Sequence, residues 1–276
     1  MKSISLIVTT YNWPGALRLC LQSVAAQKQL PAEVIIADDG SDESTRQMIH
    51  DIQPNFPVPL IHVWQADEGF RVSLIRNKAA AAASGDYLVF TDGDVILHPY
   101  FIKDHNKVAQ EGHYAGGCRV FINQVCTERR IEKMDSSVKF SKNDILAGKR
   151  RMHRQPILNW LRTRHSYRKQ QESPAIGCNL AFWKNDFSAI NGFDNNYIGW
   201  GAEDDDLCVR FYRYGLKRKF LKNCGIMFHL WHNERSRDLY SVNMLLLDEC
   251  KRASDFRCKN GFCEVDLKAE ELHKTW

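Results

Sequence analysis

The chain has 276 residues, of which 44% are hydrophobic and 11% aromatic, enough apolar mass for a sizeable globular core. No run approaches the roughly 18 apolar residues of a membrane span, and "SISLIVTTYN" at the start lacks the basic region and cleavage site of a signal peptide, so a cytoplasmic protein is expected. A net charge of +5 without a helix-turn-helix, zinc-finger or RNP signature gives no reason to expect nucleic-acid binding.

The first hundred residues alternate between two periods. "ISLIVTT" (residues 4–10) is a short β-branched run, the mark of a buried parallel strand. "NWPGALRLCLQSVAAQ" follows with Leu17, Leu21 and Val24 at helical spacing and Pro14 early in the helix. "AEVIIADDGS" predicts a second strand, and "SDESTRQMIHDI" a helix capped by Ser41 or Asp42. "LIHVWQ" predicts a third strand, "SLIRNKAAAAAS" an alanine-rich helix, and "DYLVFTDGDVIL" a fourth strand running into an acidic turn. Such alternation predicts an α/β fold with a doubly wound parallel sheet, flanked by helices. Ligands of these sheets sit beyond the carboxyl ends of the strands. Asp38–Asp39, Asp92–Asp94 and Thr9–Asn12 all fall there.

Beyond about residue 112 the pattern loosens. "YAGGCRVFI" and "AIGCNLAFW" read as strands. Between them, residues 145–171 contain no acid but eight cations, namely Lys149, Arg150, Arg151, Arg154, Arg162, Arg164, Arg168 and Lys169, interleaved with Leu158, Trp160 and Leu161. A surface for anionic lipid headgroups or a phosphorylated glycan, over 149–169, is one reading, and a solvated basic segment the other. "EDDDLCVRFYRYG" predicts a helix with Leu207, Phe211 and Tyr214 on one face, ended by Gly215. "KRKFLKN" and "GIMFHLWH" read as short strands, and "SVNMLLLDECKRA" as helical. The expected organisation is one continuous fold, with a ligand-binding half at 1–110, a second half at 111–238 and a helical tail at 239–276. Nine scattered cysteines without a C-x-x-C pair fit reduced thiols.

The acids carry the chemistry. Asp92 and Asp94, one residue apart after a strand, suit a hard divalent cation, Mg²⁺ or Mn²⁺, that completes its shell with phosphate oxygens. No glycine-rich phosphate loop is present, so a diphosphate needs that metal plus cations, for which Arg71, Arg76 and Lys78 are candidates. An imidazole completes the metal set: His232, nearer the loop, is favoured, with His229 the alternative. In "YIGWGAEDDDL" four consecutive acids, Glu203–Asp206, offer a general base for an alcohol nucleophile, and Trp200 a flat face for a sugar ring.

These segments, with "EVIIADDGSDESTRQMI", "RNKAAAAASGDYLVFTDGDVILHPYFI" and "GFDNNYIGWGAEDDDLCVRFYRYG", resemble an inverting family-2 glycosyltransferase of the GT-A fold. The last segment is also similar to β-1,4-galactosyltransferases and bacterial chondroitin polymerase domains. The resemblance covers roughly residues 3–110 and 174–235. It implies a GT-A, Rossmann-like, mostly parallel sheet and transfer of a hexose or N-acetylhexosamine from a UDP-sugar to a glycan or lipid-linked glycan. The implied setting is lipopolysaccharide or capsule assembly at the inner membrane face. Thr9, Tyr11, Asp39, Arg71, Arg76 and Asp92 would bind the nucleotide-sugar, with Asp39 facing the uracil. Asp94 would hold metal with Asp92 alongside, and Asp204 would be the base with Glu203 beside it in the catalytic pair. Glu203 would bind the acceptor or donor sugar, and Trp200 and Asp205 would meet the acceptor. Galactosyltransferases carry a second glycine where Ala202 stands, and M-x-x-H where Met227 and His229 give M-x-H. The polymerase-like pattern matches His232–Asn233–Glu234. A sugar nucleotidyltransferase and a non-catalytic glycan- or lipid-binding module are the alternatives.

Overall fold

The computed structural model describes residues 2–165, 177–233, 236–268 and 271–274. Arg168, Lys169 and Glu234 lie outside the described residues, and the side chains of Arg162 and Arg164 are likewise not described. β1 (Ile4–Thr10), β2 (Glu33–Asp38), β3 (Leu60–Trp64) and β4 (Tyr87–Asp92) alternate with α1 (Pro14–Ala25), α2 (Glu43–Ile52) and α3 (Val72–Ala82). The four strands pair in parallel. Helices cover both faces, which is why the strands are apolar on both sides. Leu6 and Val8 pack with Leu17 and Val24 of α1, whereas Ile7 and Ile35 pack with Ile75 and Ala79 of α3. Asp42, not Ser41, caps α2 by accepting from the Thr45 amide at 3.3 Å.

Two runs expected as single strands divide. "DYLVFTDGDVIL" breaks at Gly93, whose amide donates to the Thr9 carbonyl at 2.7 Å and turns the chain out of the sheet. β5 (Val95–Leu97) then joins a second, smaller sheet. "YAGGCRVFI" likewise yields β6 (His113–Gly116) in the large sheet and β7 (Arg119–Ile122) in the small one. After α4 (Phe101–Val108) and α5 (Gln124–Lys133), the chain forms β8 (Ile145–Ala147), α6 (Pro156–His165), β9 (Asn179–Trp183), α7 (Lys184–Ala189), α8 (Glu203–Arg213), β10 (Lys217–Phe220), β11 (Met227–His229), α9 (Tyr240–Arg252) and β12 (Leu272–Lys274).

The large sheet has eight strands in the order β10-β6-β9-β4-β1-β2-β3-β12. It is mostly parallel; β9 runs antiparallel between β4 and β6, and β12 antiparallel outside β3. The small sheet, ordered β5-β11-β7-β8, rests on α1, with Ile96, Val120 and Phe228 against Ala16 and Leu19. Leu207 and Phe211 of α8 are fully buried, but Tyr214 is 39% exposed and packs on Phe256. The helix has already ended there: Gly215 is left-handed at φ +98°, and Leu216 bonds back to Phe211. All nine cysteines are free thiols. No helix among the described residues is long and apolar enough to cross a membrane.

Candidate active site

Strand register assembles the site. Thr9 stands opposite Asp92, and Thr10 opposite Asp38, so three strand ends converge on one edge. They line a cavity of about 660 Å³, within the range of small-molecule sites. Both glycine-turn acids at β2 are held by protein. Asp38, wholly buried, accepts from Ser41 N and pairs with His62. Asp39 lines the cavity while accepting from Gln65 Nε2 at 2.6 Å and Arg71 N at 2.9 Å. Thr9 and Tyr11 line the same wall, and Tyr11 donates to Asp67.

The expected cations separate into different roles. The Arg71 guanidinium turns to Glu68 at 2.7 Å and is not part of the cavity wall. Lys78 pairs with Glu271 at 2.6 Å, fastening the tail rather than reaching a diphosphate. Arg76 sits at the centre, 4% exposed. It lies 3.3 Å from Asp92, 3.3 Å from Glu203 and 3.2 Å from Asp204, and its Nε donates to Thr9 Oγ1. Burial works against its charge, yet Asp204, Asp92 and Glu203 together raise its pKa. This guanidinium contacts all three carboxylates, and Arg119 in the cavity wall adds its charge toward Asp92 and Asp204, which is how the acids tolerate one another.

The four acids opening α8 divide among distinct tasks. Burial, then the charge of Asp204, raises the Glu203 carboxyl above its ordinary range. Burial also raises Asp204, but Arg76 and the Gly177 amide, which donates at 2.6 Å, oppose this and favour its ionised form. Asp205 lines the cavity. Asp206 points away: it pairs with Arg210 at 2.5 Å, and Arg210 in turn donates to the carbonyls of Ile190 and Gly192, so this acid is structural.

Asp94 faces the histidines. Antiparallel β5 and β11 place His229 opposite Val95, and Leu230 N donates to the Asp94 carbonyl. The Asp94 carboxylate therefore lies 3.6 Å from His229 and 3.3 Å from His232, with one ligand atom from each residue all within 4.8 Å of one another. Both imidazoles, not one, join this cluster, while Asp92 is turned to Arg76. Burial lowers the His229 pKa, which keeps its ring neutral as a metal ligand requires. One carboxylate and two imidazoles fit a borderline divalent cation that accepts nitrogen as well as oxygen.

The glycosyl transferase family 2 pattern matches residues 5–184, and that described as the N-terminal domain of galactosyltransferase matches residues 161–233. This chain belongs to glycosyl transferase family 2. Hyaluronan synthase of Pasteurella multocida is 28% identical over 84% of this chain and 24% of that protein. Validoxylamine A glucosyltransferase of Streptomyces hygroscopicus subsp. limoneus is 24% identical over 77% of this chain and 48% of its own. The chain thus spans half or less of the length of these relatives. The structure of GalNAc-T7 with UDP, GalNAc and Mn²⁺ superposes with a TM-score of 0.61 at 15% identity, over 90% of this chain and 48% of that one. The fold is that of the GT-A glycosyltransferases.

In this family-2 glycosyltransferase, the acidic helix is entered through an unusual turn. Gly201 has φ +105°, and a Cβ there would stand 2.9 Å from the Tyr240 ring, so only glycine fits. Ala202 is also left-handed, at φ +75°, a conformation that disfavours a side chain; this is the position where galactosyltransferases resemble the sequence but carry glycine. Trp200 is 39% exposed in the cavity wall, with Arg237 over its ring at 4.9 Å and Tyr240 at 5.6 Å. Sequence reasoning missed Arg119, Gly177, Arg237, Tyr240 and Met244, all of which line the cavity. The alternation in "RVFI" was a signal for Arg119; the tail residues carried none.

Proposed function

We propose that this glycosyltransferase is metal-dependent and inverting, moving a hexose or N-acetylhexosamine from a UDP-sugar to a glycan hydroxyl. The observation that carries this reading is one cavity holding both the Glu203–Asp204 pair, neutralised by Arg76, and the Asp94–His229–His232 cluster. Residues 1–110 supply the donor half, with Thr9, Tyr11 and Asp39 toward the nucleotide and Asp92 toward the ribose. Residues 111–238 supply the acceptor half, with Trp200, Glu203 and Asp205 toward the incoming glycan. Asp94, His229 and His232 would hold the cation, and two imidazoles favour Mn²⁺ over Mg²⁺. When bound, that cation stabilises charge developing on the departing diphosphate.

The rest follows from the chain's own groups. Asp204 is kept ionised by Arg76 and Gly177 but made more basic by burial, so it takes the acceptor hydroxyl proton. The alkoxide oxygen bonds to the anomeric carbon from the face opposite the diphosphate, whose bond to that carbon breaks, and the anomeric configuration inverts. Glu203, whose carboxyl pKa is raised by burial against the opposing charge of Arg76, hydrogen-bonds sugar hydroxyls. The hyaluronan synthase likeness supports a polysaccharide product, and assembly of surface polysaccharide (lipopolysaccharide or capsule) at the cytoplasmic membrane face is the setting we infer. The test is release of UDP from UDP-Glc, UDP-Gal, UDP-GlcNAc and UDP-GalNAc, with and without Mn²⁺. Release from one donor, dependent on Mn²⁺ and lowered at least about a hundredfold in Asp94→Ala, is expected. Absence of UDP binding, with or without Mn²⁺, overturns the reading.

A further inference from the structure

Helix α6 is turned inside out relative to a surface helix of a globular protein, whose apolar stripe faces the core. Its inward position is a polar residue: Asn159, 4% exposed, accepts from Asn223 N at 3.2 Å, and Gln155 N donates to the Asn223 carbonyl at 2.9 Å. Just ahead of the helix, Arg154 grips Asp104 through contacts of 3.0, 2.9 and 2.6 Å, and Asp104 also accepts from Gly225 N. Arg154, expected as a surface cation, is therefore an anchor. These polar contacts fix which face of α6 meets the body.

Among the described side chains, the other face is apolar and exposed. Ile157 and Leu161, two residues either side of Asn159 and so nearly opposite it on the helix, are 76% and 46% exposed. Trp160 is 57% exposed on the flank, and Leu146 of β8 is 64% exposed. Lys149, Arg150 and Arg151 are exposed on the same segment, which has no acid from Ile145 to Gln171. An apolar face accompanied by cations and free of acids complements an anionic lipid surface: the aliphatic and indole groups enter the headgroup boundary, and the cations meet phosphates. Leu146, three residues ahead of Lys149 in the chain, also lines the cavity, so the basic run begins beside the site.

We propose that the open face of α6, with Lys149–Arg151, docks this protein on an anionic membrane and orients its cavity toward the lipid surface. Delivery of a lipid-linked acceptor rests on the transferase reading above; the membrane contact itself does not. Vesicle flotation tests it, with phosphatidylcholine alone and with about a third phosphatidylglycerol. The wild type floats with the anionic vesicles only. Binding falls at least about tenfold in Ile157→Ser/Trp160→Ser/Leu161→Ser and in Arg150→Glu/Arg151→Glu, with UDP binding and melting temperature retained in both. No flotation of the wild type, equal flotation with neutral vesicles, or variants that float unchanged would overturn the proposal. A dimer by light scattering that the apolar triple variant abolishes, without vesicle binding, would overturn it too and assign the face to a second copy. Failure of wild-type UDP binding alongside intact flotation would sink the transferase reading and leave the membrane contact standing.

Discussion

Replacing Arg76 with methionine keeps most of the side chain's length and removes its charge. The guanidinium contacts three carboxylates at 3.3, 3.3 and 3.2 Å while only 4% exposed. A hydrogen bond to a charged group contributes about 1.5–3 kcal/mol, but the three share one cation and do not add. Loss of one partner from a buried ionic cluster costs about 3–5 kcal/mol, so a stability loss near 4 kcal/mol is expected at pH 7.5. The pH dependence has a definite sign. Glu203 and Asp204 already have folded pKa values above their unfolded ones, and losing Arg76 raises both further. Such carboxylates destabilise the folded state increasingly as pH rises above the unfolded carboxylate range of about 4, because only the unfolded chain ionises freely. The penalty of Arg76→Met should therefore shrink between pH 7.5 and 5.5. Urea unfolding of both proteins at the two pH values measures it. A loss below about 1 kcal/mol, or one that does not change with pH, would refute the role given to Arg76.

Four other perturbations separate the site from its scaffold. A Cβ on Gly177 would lie 2.2 Å from both carboxylate oxygens of Asp204, so Gly177→Ala should displace the base and lower turnover about a hundredfold. Its UDP affinity, read by calorimetry, should be unchanged. Asp204→Asn should lower turnover by about 10²–10⁴ with stability little affected, whereas Asp206→Asn should destabilise by about 3 kcal/mol, because Arg210 loses its buried partner, and leave turnover of the folded fraction intact. His105 is wholly buried, pairs with Asn179, and is pushed by burial down to about 4. Below its unfolded pKa, the unfolded chain takes up a proton that the folded chain refuses, so stability is full above about pH 6.5 and falls by about 2 kcal/mol by pH 5. Denaturant melts of His105→Gln should show that slope reduced.

The first hundred residues were legible because their information is local. β-branched runs, helical spacing and turn residues recur within windows of ten, so β1 through α3 and the converging acidic turns could be read directly. The strand breaks at Gly93 and between Gly116 and Arg119 were not, because an apolar run carries no mark of which sheet each half will join. Tyr214 was misplaced for a related reason: its spacing fits the buried face, but the helix ends before it.

Within the site, residue types and spacing pointed to Asp92, Asp94 and the run Glu203–Asp206 as candidates for the chemistry, to a divalent cation beside the first two, and to something positive that had to compensate the acids. Only the tertiary structure decided what that was. Arg71, Arg76 and Lys78 are near neighbours in sequence, yet one faces Glu68, one Glu271, and one enters the carboxylate cluster. The same holds for His229 and His232, which both join Asp94, and for Asp206, which leaves the site for Arg210. A sequence determines which groups are charged and how strongly each segment prefers helix or strand. Partnership between charges depends on distance across elements more than a hundred residues apart in the chain, as from Arg76 to Glu203, and only packing of the sheet against α3 and α8 sets that distance.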